Sequence, residues 1–124
     1  MARQRPKNLN LLTIRLPVPA LVSIMHRVSG ALLFLSLPIF LTLLWLTASD
    51  EQSYQLAQGF LHSLWLKLLL VVLAWAFFHH ACAGIRHLAL DAHLGLRLRY
   101  ARASSMVVLA LTLILLTIFT VAIW

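Results

Sequence analysis

The sequence predicts an all-α integral membrane protein with three transmembrane helices, and three observations predict it. Hydrophobic residues make up 62% of the 124 and charged residues 10%, against about 25% charged in an ordinary soluble domain. Three charge-free runs are each of a length to cross a hydrocarbon core of roughly 30 Å. The basic residues gather at one set of run ends and leave the other nearly bare.

In chain order, residues 1–22 read as a cytoplasmic or interfacial segment. Its apolar stretch from Leu9 to Leu21 is interrupted by Pro17 and Pro19 and is expected to lie along the membrane surface before the first helix begins. The first helix is expected at about residues 23–49. Its uncharged run is Val28 to Ser49, and Pro38 inside it predicts a kink. A second helix is expected at about 64–91, with its run from Leu68 to Ile85 bounded by Lys67 and Arg86. The segment before it, around SDEQSYQLAQGF, reads as a loop. A third helix, about 103–124, has no charge after Arg102. With four Gly, four Pro and no internal repeat there is no linker, so residues 1–124 form a single membrane-anchor domain.

Orientation follows from Lys and Arg. Arg3, Arg5, Lys7, Arg15 and Arg27 precede or open the first helix, and Arg86, Arg97, Arg99 and Arg102 lie at the connection between the second and third. The other loop holds Asp50 and Glu51, with Lys67 after it. The bias predicts a cytoplasmic N-terminus and a periplasmic C-terminus. The net charge of +7 therefore belongs to membrane topology; its residues flank apolar runs and form no groove for nucleic acid. The first apolar run is too long for a cleavable signal, and the basic segment sits too close to it for a detachable transit peptide, so a bacterial inner-membrane protein is expected. Trp45, Trp65 and Trp124 read as interfacial anchors and Trp75 as a buried mid-span residue.

One stripe carries chemistry. At about 100° per residue, His80, Gly84, His87 and Asp91 fall within roughly 60° of one another on the second helix. Ionisable groups at membrane depth face a protein interior, a cofactor or a water path. A neutral imidazole is a common axial ligand of haem iron, and Gly84 leaves room for a flat macrocycle. The competing reading is a histidine hydrogen-bonded inside a helix bundle. His79 points about 100° away and is expected to pack against another helix. His62 and His93 fall outside the apolar runs, and His26, at the end of the first helix, is expected level with His87 rather than His80. One deep ligand remains, so a bis-histidine haem needs a second polypeptide.

Ser23, His26, Arg27 and Gly30 form the second constellation. An arginine one turn from a hydroxyl at the membrane edge suits a quinone carbonyl or a carboxylate, and His26 and Arg27 suit haem propionates. An arginine reaching to lipid phosphate is the plain alternative for Arg27, and the same ambiguity holds for Arg86 and His87. Asp91 is placed to orient His87, pair with an arginine or cap a helix. The single cysteine, Cys82, excludes an internal disulfide and any cysteine-held cluster within this chain.

The segments RPKNLNLLTIRLPVPALVSIMHRVSG, from Arg5 to Gly30, and HACAGIRHLALD, from His80 to Asp91, resemble the cytochrome b (b556-type) membrane-anchor subunits of bacterial succinate dehydrogenase. The signatures are Arg-Pro, then Ser-Ile-x-His-Arg-x-Ser-Gly, then His-x-x-x-Gly-x-Arg-His-x-x-x-Asp, in that order. The resemblance implies a heteromeric helix bundle in which His80 is an axial ligand of haem b and a companion anchor subunit supplies the other. It implies Ser23 and Arg27 in a ubiquinone pocket beside the iron–sulfur subunit, and His26, Arg27 and His87 around the haem propionates, with Asp91 in support. It implies a flavoprotein subunit that oxidises succinate, with electrons passing through iron–sulfur clusters to ubiquinone. A quinol:fumarate reductase anchor, running in the opposite direction, is the alternative within the same fold. A non-redox assembly or transport subunit is the alternative outside it.

Overall fold

The computed structural model describes residues 15–124, so most of the expected interfacial segment, with Arg3, Arg5, Lys7 and the start of the first signature, lies outside the described residues. The described chain is helical throughout, in four elements: α1 (Val18–Ser49), α2 (Glu51–Leu61), α3 (Leu64–Asp91) and α4 (Leu98–Ile123). Three of them, α1, α3 and α4, are long and apolar enough to cross a membrane.

Helix α1 starts at Val18 rather than near residue 23, with extended Pro17 as its N-cap and Pro19 in the first turn. Proline suits this place, because first-turn N–H groups have no intrahelical acceptor. The two prolines therefore mark a helix start, and residues 18–22 belong to α1. α1 continues through Pro38 to Ser49. Pro38 leaves the Phe34 carbonyl without its backbone donor; close by, Ser36 Oγ donates to the Leu33 carbonyl at 2.7 Å and Thr42 Oγ1 to the Pro38 carbonyl at 2.8 Å.

Helix α2 occupies the segment read from sequence as a loop. The Asp50 carboxylate caps it, accepting from the Ser53 amide at 2.8 Å and the Ser53 hydroxyl at 2.9 Å, and Glu51 follows in the first turn. α3 ends in a Schellman motif: Leu94 N–H donates to Ala89 O and His93 N–H to Leu90 O, both at 2.9 Å. The left-handed position is filled by His93 (φ 61°), and Gly95 (φ 74°) turns the chain again. The turn is tight enough for α4 to begin at Leu98 rather than 103, which puts Arg99 and Arg102 on its first turns.

The buried positions have coiled-coil spacing. Val22, Ser29 and Ser36 recur every seven residues on α1; Ala76, His79, Ala83 and Arg86 alternate by three and four on α3, and Ser105, Val108 and Thr112 do so on α4. Such seams suit helices crossing at about +20°. Their small residues let backbones approach, which is how helices associate where lipid removes the hydrophobic drive. The buried hydroxyls bond their own helices: Ser105 to Ala101 O and Thr112 to Val108 O, each at 2.8 Å. α3 is the middle helix, packed against both α1 and α4.

The bundle has two chemically distinct ends. At one, Arg86 is buried and donates through Nε to Ser104 Oγ at 3.1 Å and through Nη2 to Ala101 O at 3.3 Å. That clamp joins α3 to the start of α4 and directs Arg86 away from His87. At the other, Lys67 Nζ lies 5.5 Å from the centroid of the Trp124 ring. Trp45, Trp65 and Trp124 project outward. Trp75 is half-buried, with its ring stacked on His79.

Candidate functional site

The α1–α3 contact at the arginine-rich end builds the site. His26, Ser29 and Gly30 lie on one face of α1, since positions three and four apart are neighbours on a helix, and His80, Gly84 and His87 lie on the facing side of α3. The His26 ring stacks on His80 with centroids 4.2 Å apart and planes 14° from parallel, and meets His87 at 5.0 Å and 43°. His26 thus sits between the two α3 histidines, which corrects its expected placement level with His87 only. The reason is the early start of α1: eight residues past Val18, at 1.5 Å each, carry His26 about 12 Å along the helix.

Glycines make this approach possible. A Cβ on Gly84 would lie 3.6 Å from His26 Nε2, so the room on the α3 stripe is taken by the His26 ring. A Cβ on Gly30 would lie 2.8 Å from His80 Cε1, closer than real Cβ contacts come. The tightest approach in the site therefore depends on Gly30.

His80 and its neighbour His79 differ in the state of their nitrogens. His80 Nδ1 lies 3.1 Å from the His26 carbonyl oxygen and 3.3 Å from Ser29 Oγ. Ser29 Oγ donates its own proton to that same carbonyl at 2.8 Å. A carbonyl oxygen only accepts, so both oxygens require an N–H at Nδ1 and leave the lone pair on Nε2. His80 is half-buried, and its Nε2 makes no hydrogen bond to a described residue. His79 is fully enclosed with both nitrogens unpartnered, and its ring stacks on Trp75 at 5.7 Å and 15°. It packs into the α3 seam.

The stacked His26 and His80 rings cannot grip one metal ion between them, because imidazole lone pairs lie in the ring plane and these planes are parallel. Ser23 is half-buried and Arg27 exposed, one turn apart on α1. Two grooves lie elsewhere: one of about 580 Å³ near Pro38 and Trp65, the other of about 660 Å³ between α3 and α4 near Arg86 and Tyr100. Neither is lined by Ser23, His26, Arg27 or His80. Asp91 is the exposed last residue of α3, and no hydrogen bond to a described residue orients it.

Residues 1–119 match the model of the family described as the succinate dehydrogenase/fumarate reductase transmembrane subunit. The chain belongs to that family. Among relatives of this transmembrane subunit, a succinate dehydrogenase cytochrome b556 subunit of Coxiella burnetii is 39% identical over the whole of both chains. The protein of the same name from Paracoccus denitrificans is 34% identical over 90% of this chain and 85% of its own, and that of Rickettsia felis 30% over 90% and 87%. The three apolar helices are those of a multi-pass membrane subunit.

The two segments singled out in the sequence pack against each other, but the sequence assigns Ser29 no role and Gly30 only a place in a motif. The signal for both was present in Ser-Gly three and four residues after His26, on the face that must meet α3. Arg86 was left between a site role and a lipid contact. Its seven-residue spacing from His79 and three-residue spacing from Ala83 place it in the packing seam.

Proposed function

We propose that this chain is the membrane-anchor subunit of a bacterial succinate dehydrogenase, that it co-ligates haem b through His80, and that it forms part of the site where ubiquinone is reduced. The observation that carries the reading is the state of His80: Nδ1 held by two oxygens, with Nε2 bonded to no described residue. Metal-bound histidines are held in this way, with the second nitrogen donating to a carbonyl or similar acceptor. The donor set fits haem b, and His80 from this chain with a histidine from a companion anchor subunit would hold it. Bound there, haem b supplies a one-electron centre within the membrane.

The other residues take roles by position. His26, Arg27 and His87 supply positive or polar groups where propionates would reach the membrane edge, Gly84 gives the His26 ring its place, and Asp91 supports the same end. The orientation that goes with this reading puts that end in the cytoplasm and the C-terminus in the periplasm of an inner-membrane complex. There the flavoprotein and iron–sulfur subunits deliver electrons from succinate. Quinone reduction takes two electrons and two protons. Arg27 stabilises negative charge developing on the quinone oxygen, and Ser23 donates a hydrogen bond and relays a proton from water. Another subunit completes the pocket around these two residues.

The cytochrome b556 relatives are named for succinate dehydrogenase, which favours succinate oxidation over fumarate reduction. A reduced-minus-oxidised absorption spectrum of the purified complex tests the reading. The parent and His79→Ala complexes are expected to show a b-type band that His80→Ala loses. A parent complex without the band would overturn it and favour a non-redox subunit.

A further inference from the structure

We propose that Ser29, Gly30 and the His26 carbonyl form a cradle that sets the tautomer and ring plane of His80. Ser29 and Gly30 are thereby positioning residues for haem ligation. This rests on the reading of His80 as an axial ligand and adds to it the residues that tune the ligand.

Three contacts define the cradle, and each does a different job. The His26 carbonyl, 3.1 Å from Nδ1, requires the N–H there. The Ser29 hydroxyl is fully buried and has spent its proton on that carbonyl, so it too can only accept from Nδ1, at 3.3 Å. Two acceptors on one N–H draw electron density towards Nε2 and make it the more basic ligand. Gly30 sets the plane. With a Cβ there, Cε1 would lie 2.8 Å away and Nδ1 3.3 Å, so the ring edge would have to turn or withdraw. The His26 ring, stacked at 4.2 Å and 14°, limits that turn from the other side. All three α1 contributions come from residues 26, 29 and 30, one face of one helix, so α1 holds His80 as a unit.

A more basic axial ligand favours ferric over ferrous iron, so removing the serine hydroxyl should raise the haem midpoint potential. The largest g value of low-spin ferric haem reads the relative orientation of its axial ring planes, so a side chain at position 30 should move it. The experiment uses the assembled complex, with subunit content checked by denaturing gel. Ser29→Ala is expected to keep its b-type band and show a raised midpoint in a redox titration. Gly30→Ala is expected to show a shifted largest g value in its electron paramagnetic resonance spectrum, or an assembled complex depleted of haem. Either variant leaving its own readout at the parent value overturns the cradle. His80→Ala separates this from failure of the underlying reading. A b-type band that survives His80→Ala defeats the ligand assignment itself. A band lost there, with an unmoved Ser29→Ala midpoint, defeats the cradle alone.

Discussion

Arg27 and His79 show how much a single side chain's surroundings decide. Arg27 is exposed on α1, one turn from half-buried Ser23, so removing it opens no cavity and leaves the fold intact. In the proposed quinone site its loss removes one charged donor to an oxygen on which charge develops, which in other active sites costs about 10²-fold in turnover. Arg27→Ala is expected to lower succinate-driven quinone reduction by about that factor while succinate oxidation by a soluble dye and the b-type band persist; a normal quinone rate would refute the assignment. His79 is the opposite case. An enclosed ring nitrogen without a well-formed hydrogen bond costs on the order of 1–3 kcal/mol. Exchanging it for an apolar side chain of similar size removes that cost, so His79→Leu should leave the thermal midpoint of the complex equal or raised, with the band retained. A lost band would show that His79 and not His80 is the ligand. The two histidines are adjacent in sequence and their helix angles separate them, but only the partner helix says which one is sealed and which is half-buried.

At the scale of elements, legibility followed hydropathy. α1, α3 and α4 are visible as long charge-free runs, whereas α2 has no such run and rests on a capping carboxylate and on docking to its neighbours. Helix starts were misplaced where local chemistry overrides the charge pattern: Pro17 and Pro19 open α1 early, and the His93–Gly95 turn opens α4 early. His93 carries a Cβ at φ 61°, where glycine has no steric penalty. His93→Gly should therefore stabilise the α3–α4 turn by about 1 kcal/mol, and Gly95→Ala, at φ 74°, should destabilise it by a similar amount. Opposite shifts in the thermal midpoint of the complex would confirm the pair; a His93→Gly complex less stable than the parent would contradict it. For α2 the Ser53 amide, and after it the Ser53 hydroxyl, donate to Asp50 and hold its carboxyl below the usual carboxylate range. A depressed folded-state value means that the cap's contribution is fully present above the ordinary carboxyl pKa of about 3.9 and disappears as pH falls through the lower folded one. The amide resonance of Ser53 should titrate with a midpoint under that ordinary value, and a midpoint at or above it would rule the cap out.

At the scale of the whole molecule, the bundle is sealed on one side and unfinished on another. Its seams are closed by small residues and by hydroxyls that bond their own helices. The apolar surfaces of α1 and α4, with Phe34, Leu41 and Val121 well exposed, are satisfied by lipid tails or by another chain alike. His80 Nε2 is not satisfied that way. A ring nitrogen with a lone pair, at membrane depth, finds no donor among hydrocarbon chains, and leaving a polar group unmet there costs several kcal/mol. His26 cannot meet it, because the two rings lie face to face, and His87 lies on His80's own helix, turned towards His26. With His80 as the proposed haem ligand, a companion subunit completes the ligand set. Produced without a companion anchor, the chain is expected in membranes without a bis-histidine b-type spectrum. Co-production with the companion should restore the band, and His80→Ala should abolish it again. A full-strength low-spin band from this chain alone would mean that two of its own histidines converge on one iron, which requires α1 and α3 to separate at the His26–His80 stack and would overturn the shared site.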